Sequence, residues 1–332
     1  MNRQPQRPGF PVPGEGSVCR NDRGQEHPLI APARDEELVR VQSWLQEHDD
    51  LPELIGDAVE DAIFYILDGW RTHRFDFDDD KVDSDERRSL GTKLQFHVIE
   101  NLHLVKMRHP DTRIADVGVE IKGTIRDNWA IPKEGQCGVT LLIQIDTAAG
   151  HQRSSLMRTH RAWLRDGANN DGKRGVASNA LHEFSVPLYD WHRLRPNPLK
   201  LLSTGQLAEV FGSESQEYRL FWLFRYLPSV VVPRAVVLTV GANKFDPLRR
   251  VRALRPRLKD AGFALICGQW KAQRKLAADL GHDLTGAAWV AVPWEQILGH
   301  GELSDQVIRQ IQGLHDSKSY YARLDADRGR PL

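Results

Sequence analysis

One stretch, Ile114 to Gly123, constrains this 332-residue chain more than any other. It reads I-A-D-V-G-V-E-I-K-G. Val117, Val119 and Ile121 alternate with Gly118, Glu120 and Lys122, the two-residue period of a strand with one apolar face. Such a strand must lie on a core, and its other face then carries a carboxylate and an amine side by side. Asp111 stands within reach at the strand's approach. An acid followed by an acid-x-lysine pair is the minimal set for holding a divalent metal beside a phosphodiester. The carbonyl of Ile121 offers a third oxygen. Acid-x-lysine on a strand is also a common surface ion pair, so the rest of the chain has to decide between the two.

The length suits two domains, and an apolar share of 40% supplies real cores. The N-terminal M-N-R-Q-P-Q-R-P lacks the apolar region of a signal peptide. The richest apolar run, Val230 to Val240, is broken by Pro233 and Arg234 and is too short to span a bilayer. Cys19, Cys137 and Cys267 are far apart and odd in number. They suggest neither a disulfide framework nor a zinc site and fit a reducing cytoplasm. The formal net charge of +0 conceals a split. Residues 1–150 hold 18 Lys+Arg against 28 Asp+Glu, a net of −10, and residues 151–332 hold 27 against 17, a net of +10. An acidic half followed by a basic half suits a metal-dependent site joined to a polyanion-binding surface, and equally two domains of ordinary charge imbalance.

Residues 1–36, rich in Pro, Gly, Arg and Glu, read as a disordered tail. Helical spacing then recurs around Leu38–Leu45 and Leu54–Leu67, the second ending at Asp68-Gly69. The acidic run Asp76 to Glu86 fails as a calcium loop, because Lys81 and Arg87 stand where Gly and Glu are required. It reads as a solvated loop, and Arg71 and Arg74 can pair with it or reach phosphates. Residues 87–105 form an amphipathic helix with Leu90, Leu94, Val98, Leu102 and Val105 on one stripe and Gln95 on its flank. His97, His103 and His109 have no ligand spacing. Val139 to Ile145 reads as a buried central strand, Leu156 to Leu164 as a helix, and His182 to Leu188 as a last strand. Gly167 to Gly175 is a polar loop carrying Lys173 and Arg174. These elements delimit a first domain at 37–190, a linker at 191–198 and a second domain at 199–332. In the latter, Leu199–Phe211 and Glu214–Leu227 read as helices, Ala235–Gly241, Phe263–Gly268 and Ala288–Val292 as strands, and Lys271–Leu280 and Ser304–Leu314 as helices. The basic run Arg249 to Lys259, with Arg249, Arg250 and Arg252 at its head, is interrupted by Pro256. It therefore predicts two short pieces rather than one long recognition helix.

Several of these segments together resemble the NaeI-type restriction endonucleases, members of the PD-(D/E)xK nuclease superfamily related to MutH. Asp68-Gly69-Trp70-Arg71-Thr72-His73-Arg74-Phe75 is similar to the family's D-G-x-R-T-x-R-aromatic segment, and Gly91-Thr92 begins the helix that carries an auxiliary acid. Asp111 stands nine residues before Glu120 and Lys122 two after it, the family's spacing for its metal ligands and catalytic lysine. Trp129 to Glu134, Ala168-Asn169 through Asp171, Lys173 and Arg174, Leu220 to Thr239, and Leu276 to Leu280 extend the resemblance over residues 50–295. It implies a restriction-endonuclease-like mixed sheet flanked by helices, an α/β nuclease domain. A helix-turn-helix or winged-helix-like α+β domain would follow and also bind DNA. It further implies Mg²⁺, double-stranded DNA cut at short palindromes, a homodimer, and for some members a second DNA copy as effector. One departure stands out: Gln95 occupies the place of the auxiliary glutamate. It can accept a hydrogen bond from a water but carries no charge. A MutH-like nicking enzyme, or a DNA-binding protein with a weakened nuclease centre, remains an alternative.

Overall fold

The computed structural model describes residues 10–242, 246–284, 288–299, 303 and 305–312. These fall into two compact units. The first comprises the described residues through Ile66 together with Phe77–Arg195, and the second Leu67–Asp76 together with the described residues from Pro196 onward.

Unit 1 begins with a hairpin of β1 (Val18–Arg20) and β2 (Glu26–Pro28), followed by α1 (Glu36–Gln46) and α2 (Leu51–Leu67), whose last residue crosses into unit 2. The turn of helix α3 (Gly69–Thr72) belongs to unit 2. Unit 1 resumes with α4 (Ser84–Asn101), β3 (Thr112–Ile114), β4 (Val117–Thr124) and β5 (Ala130–Ile131). It ends with β6 (Val139–Asp146), β7 (His151–Arg158), β8 (Leu164–Ala168), β9 (Arg174–Val176), α5 (Ser178–Phe184) and β10 (Val186–Arg193). The main sheet is ordered β10-β7-β6-β4-β3, with β4 and β6 parallel and the other pairs antiparallel. Central β6 is buried on both faces over most of its length, and its sequence V-T-L-L-I-Q-I-D is correspondingly rich in apolar residues.

Val119, Ile121, Leu141 and Ile143 share one face of this sheet by register, and α1 contacts β4, β7 and β10. The opposite face contributes Leu142 and Met157 to a core with Trp129, Trp163, Phe184 and the hairpin residues Cys19 and Leu29. Residues 10–36 are therefore not the disordered tail their composition predicts. Cys19 and Leu29 are buried, and Asp22 joins Arg161 at 3.0 Å and Arg174 at 2.6 Å. A few inward apolar residues among many Pro and Gly are enough to dock a short hairpin.

Part of the acidic run has a local role. Asp83 caps α4, accepting from the backbone N–H groups of Asp85 and Glu86, while Glu86 returns a bond to the Asp83 N–H. Three carboxylates at a helix N-terminus also complement its dipole. Residues 156–164, expected to be helical, complete β7 and open β8. The segment R-S-S-L-M-R lacks strong strand formers, but β7 pairs with β6 along its whole length, and that pairing overrides local propensity. The expected strand at His182–Leu188 divides between the end of α5 and the start of β10. That last strand also runs into the expected linker, to Arg193.

Unit 2 contains α3 and then α6 (Thr204–Gly212), α7 (Gln216–Tyr226), α8 (Arg234–Gly241), α9 (Pro247–Ala253) and α10 (Arg255–Asp260). After these come β11 (Phe263–Cys267), α11 (Lys271–Asp279), β12 (Trp289–Pro293), α12 (Trp294–Gly299) and α13 (Asp305–Gln312). β11 and β12 pair antiparallel. Ala235–Gly241 is a helix where its valines predict a strand. Pro233 sets the entry, and Val236, Val237 and Val240 are all buried. Packing against α3 and α7 decides the conformation over β-branched preference. The basic run does form two short helices, α9 and α10. Ser304 and residues 313–314 of the last expected helix lie outside the described residues.

Candidate active site

The nine-residue spacing between Asp111 and Glu120 has a simple origin. Strands β3 and β4 are joined by two residues, Ala115 and Asp116, both at positive φ (47° and 62°). Two such residues form the tight hairpin turn whose twist matches the strands it joins. Its register pairs Ile114 with Val117, Arg113 with Gly118 and Thr112 with Val119. One step further along, Asp111 comes opposite Glu120. Gly118 is fixed by the approach: a Cβ there would lie 2.6 Å from Cγ of Pro110.

Asp111 and Glu120 are buried, 7% and 5% exposed. Asp111 Oδ2 accepts the backbone N–H of Ile121 at 2.9 Å, and Oδ1 accepts from Lys106 Nζ at 3.2 Å. Lys122 Nζ lies 2.5 Å from Glu120 Oε1 and 3.7 Å from Asp111 Oδ2. Two carboxylates thus converge on one ammonium, with a second ammonium behind. Burial of this much charge is tolerable only because each carboxylate is paired and hydrogen-bonded. Ile121 turns its side chain to the apolar face, 1% exposed.

The group opens into a cleft of about 850 Å³. Helix α4 forms a wall of it because two glycines let it come close. A Cβ on Gly91 would lie 2.7 Å from the carbonyl oxygen of Gly123, and one on Gly123 would lie 2.5 Å from Leu94 Cδ2. Gln95, one turn beyond Gly91, lines the same cleft with Asp111, Glu120 and Lys122. The four residues named from the sequence are therefore brought together. Trp129, buried in the core, donates its indole N–H to the Ile143 carbonyl at 3.1 Å and anchors the segment after β4.

The other named cations divide. Lys173 lines the cleft. Asn169 shapes its loop by accepting the backbone N–H groups of Asp171 and Lys173 at 3.1 and 2.8 Å. Arg174 is occupied with Asp22, whose carboxyl it holds well below the usual range, with help from Gln136 and Arg161. Arg71, Arg74, Arg249, Arg250 and Arg252 belong to unit 2. Arg71 pairs with Asp68 at 2.9 Å, Arg74 donates to the Leu67 carbonyl at 3.3 Å, and Arg252 bonds Gln269 at 3.0 Å. Arg249 donates its backbone N–H to Asp246 in the cap of α9, and Arg250 is exposed. Further along the basic run, Arg255 turns inward, 2% exposed, and bonds Leu265, Gln273 and Gln310.

Sequence reading missed Lys106, which reaches Asp111, and Arg88, which lines the cleft. Thr92, named there only as part of a motif, lines the cleft as well. Arg88, Thr92 and Gln95 recur at helical spacing on one face of α4, a pattern the apolar stripe of the same helix obscured.

A family model described as "Restriction endonuclease NaeI" matches residues 39–290. The chain belongs to the NaeI restriction endonuclease family. It is 26% identical over 266 residues to the type II restriction enzyme NaeI of Lentzea aerocolonigenes, an alignment covering 77% of this chain and 82% of that protein. Membership of the NaeI family places the chain among the site-specific deoxyribonucleases. The matched span holds Gln95, Asp111, Glu120 and Lys122 and runs on through most of unit 2.

Proposed function

We propose that the chain is a Mg²⁺-dependent type II restriction endonuclease that hydrolyses both strands of DNA as a homodimer, with a PD-(D/E)xK centre at Asp111, Glu120 and Lys122. The observation that carries this is the convergence of two buried carboxylates on Lys122 inside the cleft. An ion pair made for stability alone needs no cleft, and leaving it buried costs desolvation that apolar residues would avoid.

The donors fit a hard cation. The carboxylates of Asp111 and Glu120 are oxygen donors, and one or two carboxylates suffice for Mg²⁺; His109 also lines the cleft. Asp111 and Glu120 would hold it. In an extended strand a residue's N–H and C=O face the same edge. The bond from the Ile121 N–H to Asp111 therefore favours the Ile121 carbonyl as a third oxygen. When bound, Mg²⁺ supplies Lewis acidity toward the phosphodiester oxygens. Lys122 orients the attacking water, or takes part in its deprotonation, and offsets negative charge that develops at phosphorus. Gln95 accepts a hydrogen bond from a water in the cleft. Lys106 holds the outer oxygen of Asp111 and so fixes the carboxylate plane. Lys173, on the cleft wall, supplies charge toward the DNA backbone. Unit 2 would be the helix-turn-helix DNA-binding part, engaging the backbone through Arg71, Arg74, Arg249, Arg250 and Arg252, with a second DNA copy as a candidate effector.

Incubation of the purified protein with plasmid and phage DNA in Mg²⁺ tests this reading. Discrete double-strand fragments that disappear with chelator are expected. Nicks alone would favour a MutH-like single-strand enzyme. A second reading rests on Gln95, whose missing charge weakens the centre: DNA bound in Mg²⁺ or Mn²⁺ without any cleavage would select a DNA-binding protein instead.

A further inference from the structure

Three soft donors from distant parts of unit 1 meet beneath the N-terminal hairpin. Cys19 and Cys137, 3% and 2% exposed, stand with their sulfurs 3.7 Å apart. His160, with no exposed surface, packs edge-on to Trp163 with ring centroids 4.7 Å apart. Neither of its ring nitrogens has a hydrogen-bond partner. The ligating atoms of all three lie within 4.8 Å of one another. Cys137 holds a positive φ of 65°, which a residue with a side chain adopts only where its surroundings impose it.

The sulfur separation excludes a disulfide and suits both an S–H···S contact between two thiols and two thiolates on one ion, so the imidazole beside them has to decide. Both cysteines are free, and a disulfide would bring the sulfurs to about 2.05 Å. Two thiolates bound tetrahedrally to one Zn²⁺, each at about 2.3 Å, are separated by about 3.8 Å, close to what is observed. A buried imidazole with both nitrogens unpaired is the partner such an ion lacks on its nitrogen side. The backbone N–H of Ala162 donates to Cys19 Sγ at 3.3 Å, a contact that favours a thiolate. The candidate for a fourth donor is His27, which lies directly across the hairpin from Cys19 so that the two side chains project from the same face. Its ring stands outside the group of three, with Nε2 3.4 Å from Asn21 Nδ2, and would turn from that contact to reach the ion.

We propose that Cys19, Cys137 and His160 bind one Zn²⁺, with His27 completing a closed Cys₂His₂ site that fastens the hairpin to the nuclease unit. Sulfur and imidazole select zinc over Mg²⁺, so this site and the carboxylate site take different ions. The consequence reaches Asp22, at the hairpin's turn, which holds Arg161 and Arg174 in place. The separation of 118 residues between the two cysteines conceals the set from any spacing rule.

The test uses full-length protein expressed with zinc, purified without chelator and equilibrated in excess Mg²⁺, its metals counted by mass spectrometry. One zinc per chain is expected. Replacement by Co²⁺ should give a sulfur-to-cobalt charge-transfer band and the intense ligand-field bands of a tetrahedral centre. Glu120→Ala should keep its zinc, whereas Cys137→Ser should lose it. The count and cobalt spectrum of the unsubstituted protein stand even if that variant does not fold. His27→Ala should release zinc to a competing chelator at least tenfold more readily, and unchanged release would overturn its place as fourth ligand. Folded protein with no zinc, or a Cys19–Cys137 disulfide mapped under non-reducing conditions, would overturn the site. None of these readouts depends on DNA cleavage.

Discussion

Gln95 sets the sharpest question at the scale of single residues. It lines the cleft with Asp111, Glu120 and Lys122, and brings a neutral amide where the resemblance leads one to expect a carboxylate. Glu at this position would add a charge beside two carboxylates already balanced by Lys106 and Lys122. Gln95→Glu should therefore lower the Mg²⁺ concentration for half-maximal cleavage several-fold, and Gln95→Ala should raise it. A Mg²⁺ titration of the cleavage rate checks both. The strand face with Glu120 and Lys122 was legible in the sequence, but the turn at Ala115-Asp116 was not. The stretch from Ile114 to Gly123 reads as one strand, whereas the structure folds it into a hairpin that brings Asp111 opposite Glu120. Lys106 was not legible either: it reaches Asp111 from a segment without regular secondary structure, where no period marks which side chains turn inward. The Cys19, Cys137 and His160 cluster was hidden for a related reason, since only the packed hairpin brings it together.

Among the elements, the contact of α4 with β4 carries the geometry of the site. It depends on Gly91 meeting the Gly123 backbone at a distance no side chain permits. Gly91→Ala should cost about 1–3 kcal/mol of stability, as overpacking does, and should depress cleavage by moving Gln95. Gly205→Ala is the matched control, a helical glycine whose added Cβ meets nothing within 4 Å. It should be neutral or stabilising by up to about 1 kcal/mol. Denaturant unfolding of both variants, with cleavage rates, separates the two effects.

Helix α2 carries a pH dependence of its own. Burial raises the carboxyl of Glu60 from 4.5 to about 7, against the opposing pull of Arg195. An acid whose folded value is raised favours folding in its protonated form, so its charge costs stability as pH climbs from about 4.5 through about 7. Glu60→Gln keeps an acceptor for the Arg195 N–H at 2.7 Å. Its stability relative to the unsubstituted protein should grow across that window and level off above it, as read from unfolding midpoints at each pH. Long periodic elements such as α2 and β6 were legible from sequence. Residues 156–164 and α8 were not, because strand pairing in one and burial of valines on several sides in the other outweigh local preference.

For the whole molecule, the split of charge between a net of −10 in residues 1–150 and +10 in residues 151–332 marks where each kind of binding is expected. The carboxylate cleft lies in the acidic part, and the basic run α9–α10 in the other. That run is less basic at its surface than its sequence suggests, since Arg255 is buried and Arg257 lies over the rings of Tyr218 and Phe221 at 4.2 Å each. Binding and cleavage should then be separable by substitution. The most direct measurement compares the protein with Glu120→Ala and Lys122→Ala on the same DNA in Mg²⁺, following binding by mobility shift and cleavage by sequencing of the ends. Both variants should bind DNA with affinity close to that of the unsubstituted protein. Cleavage should fall by about 10²–10³ or more in each, the loss found when one transition-state contact is removed. If both variants cut at the same sites and rates as the unsubstituted protein, the centre is not at Asp111, Glu120 and Lys122.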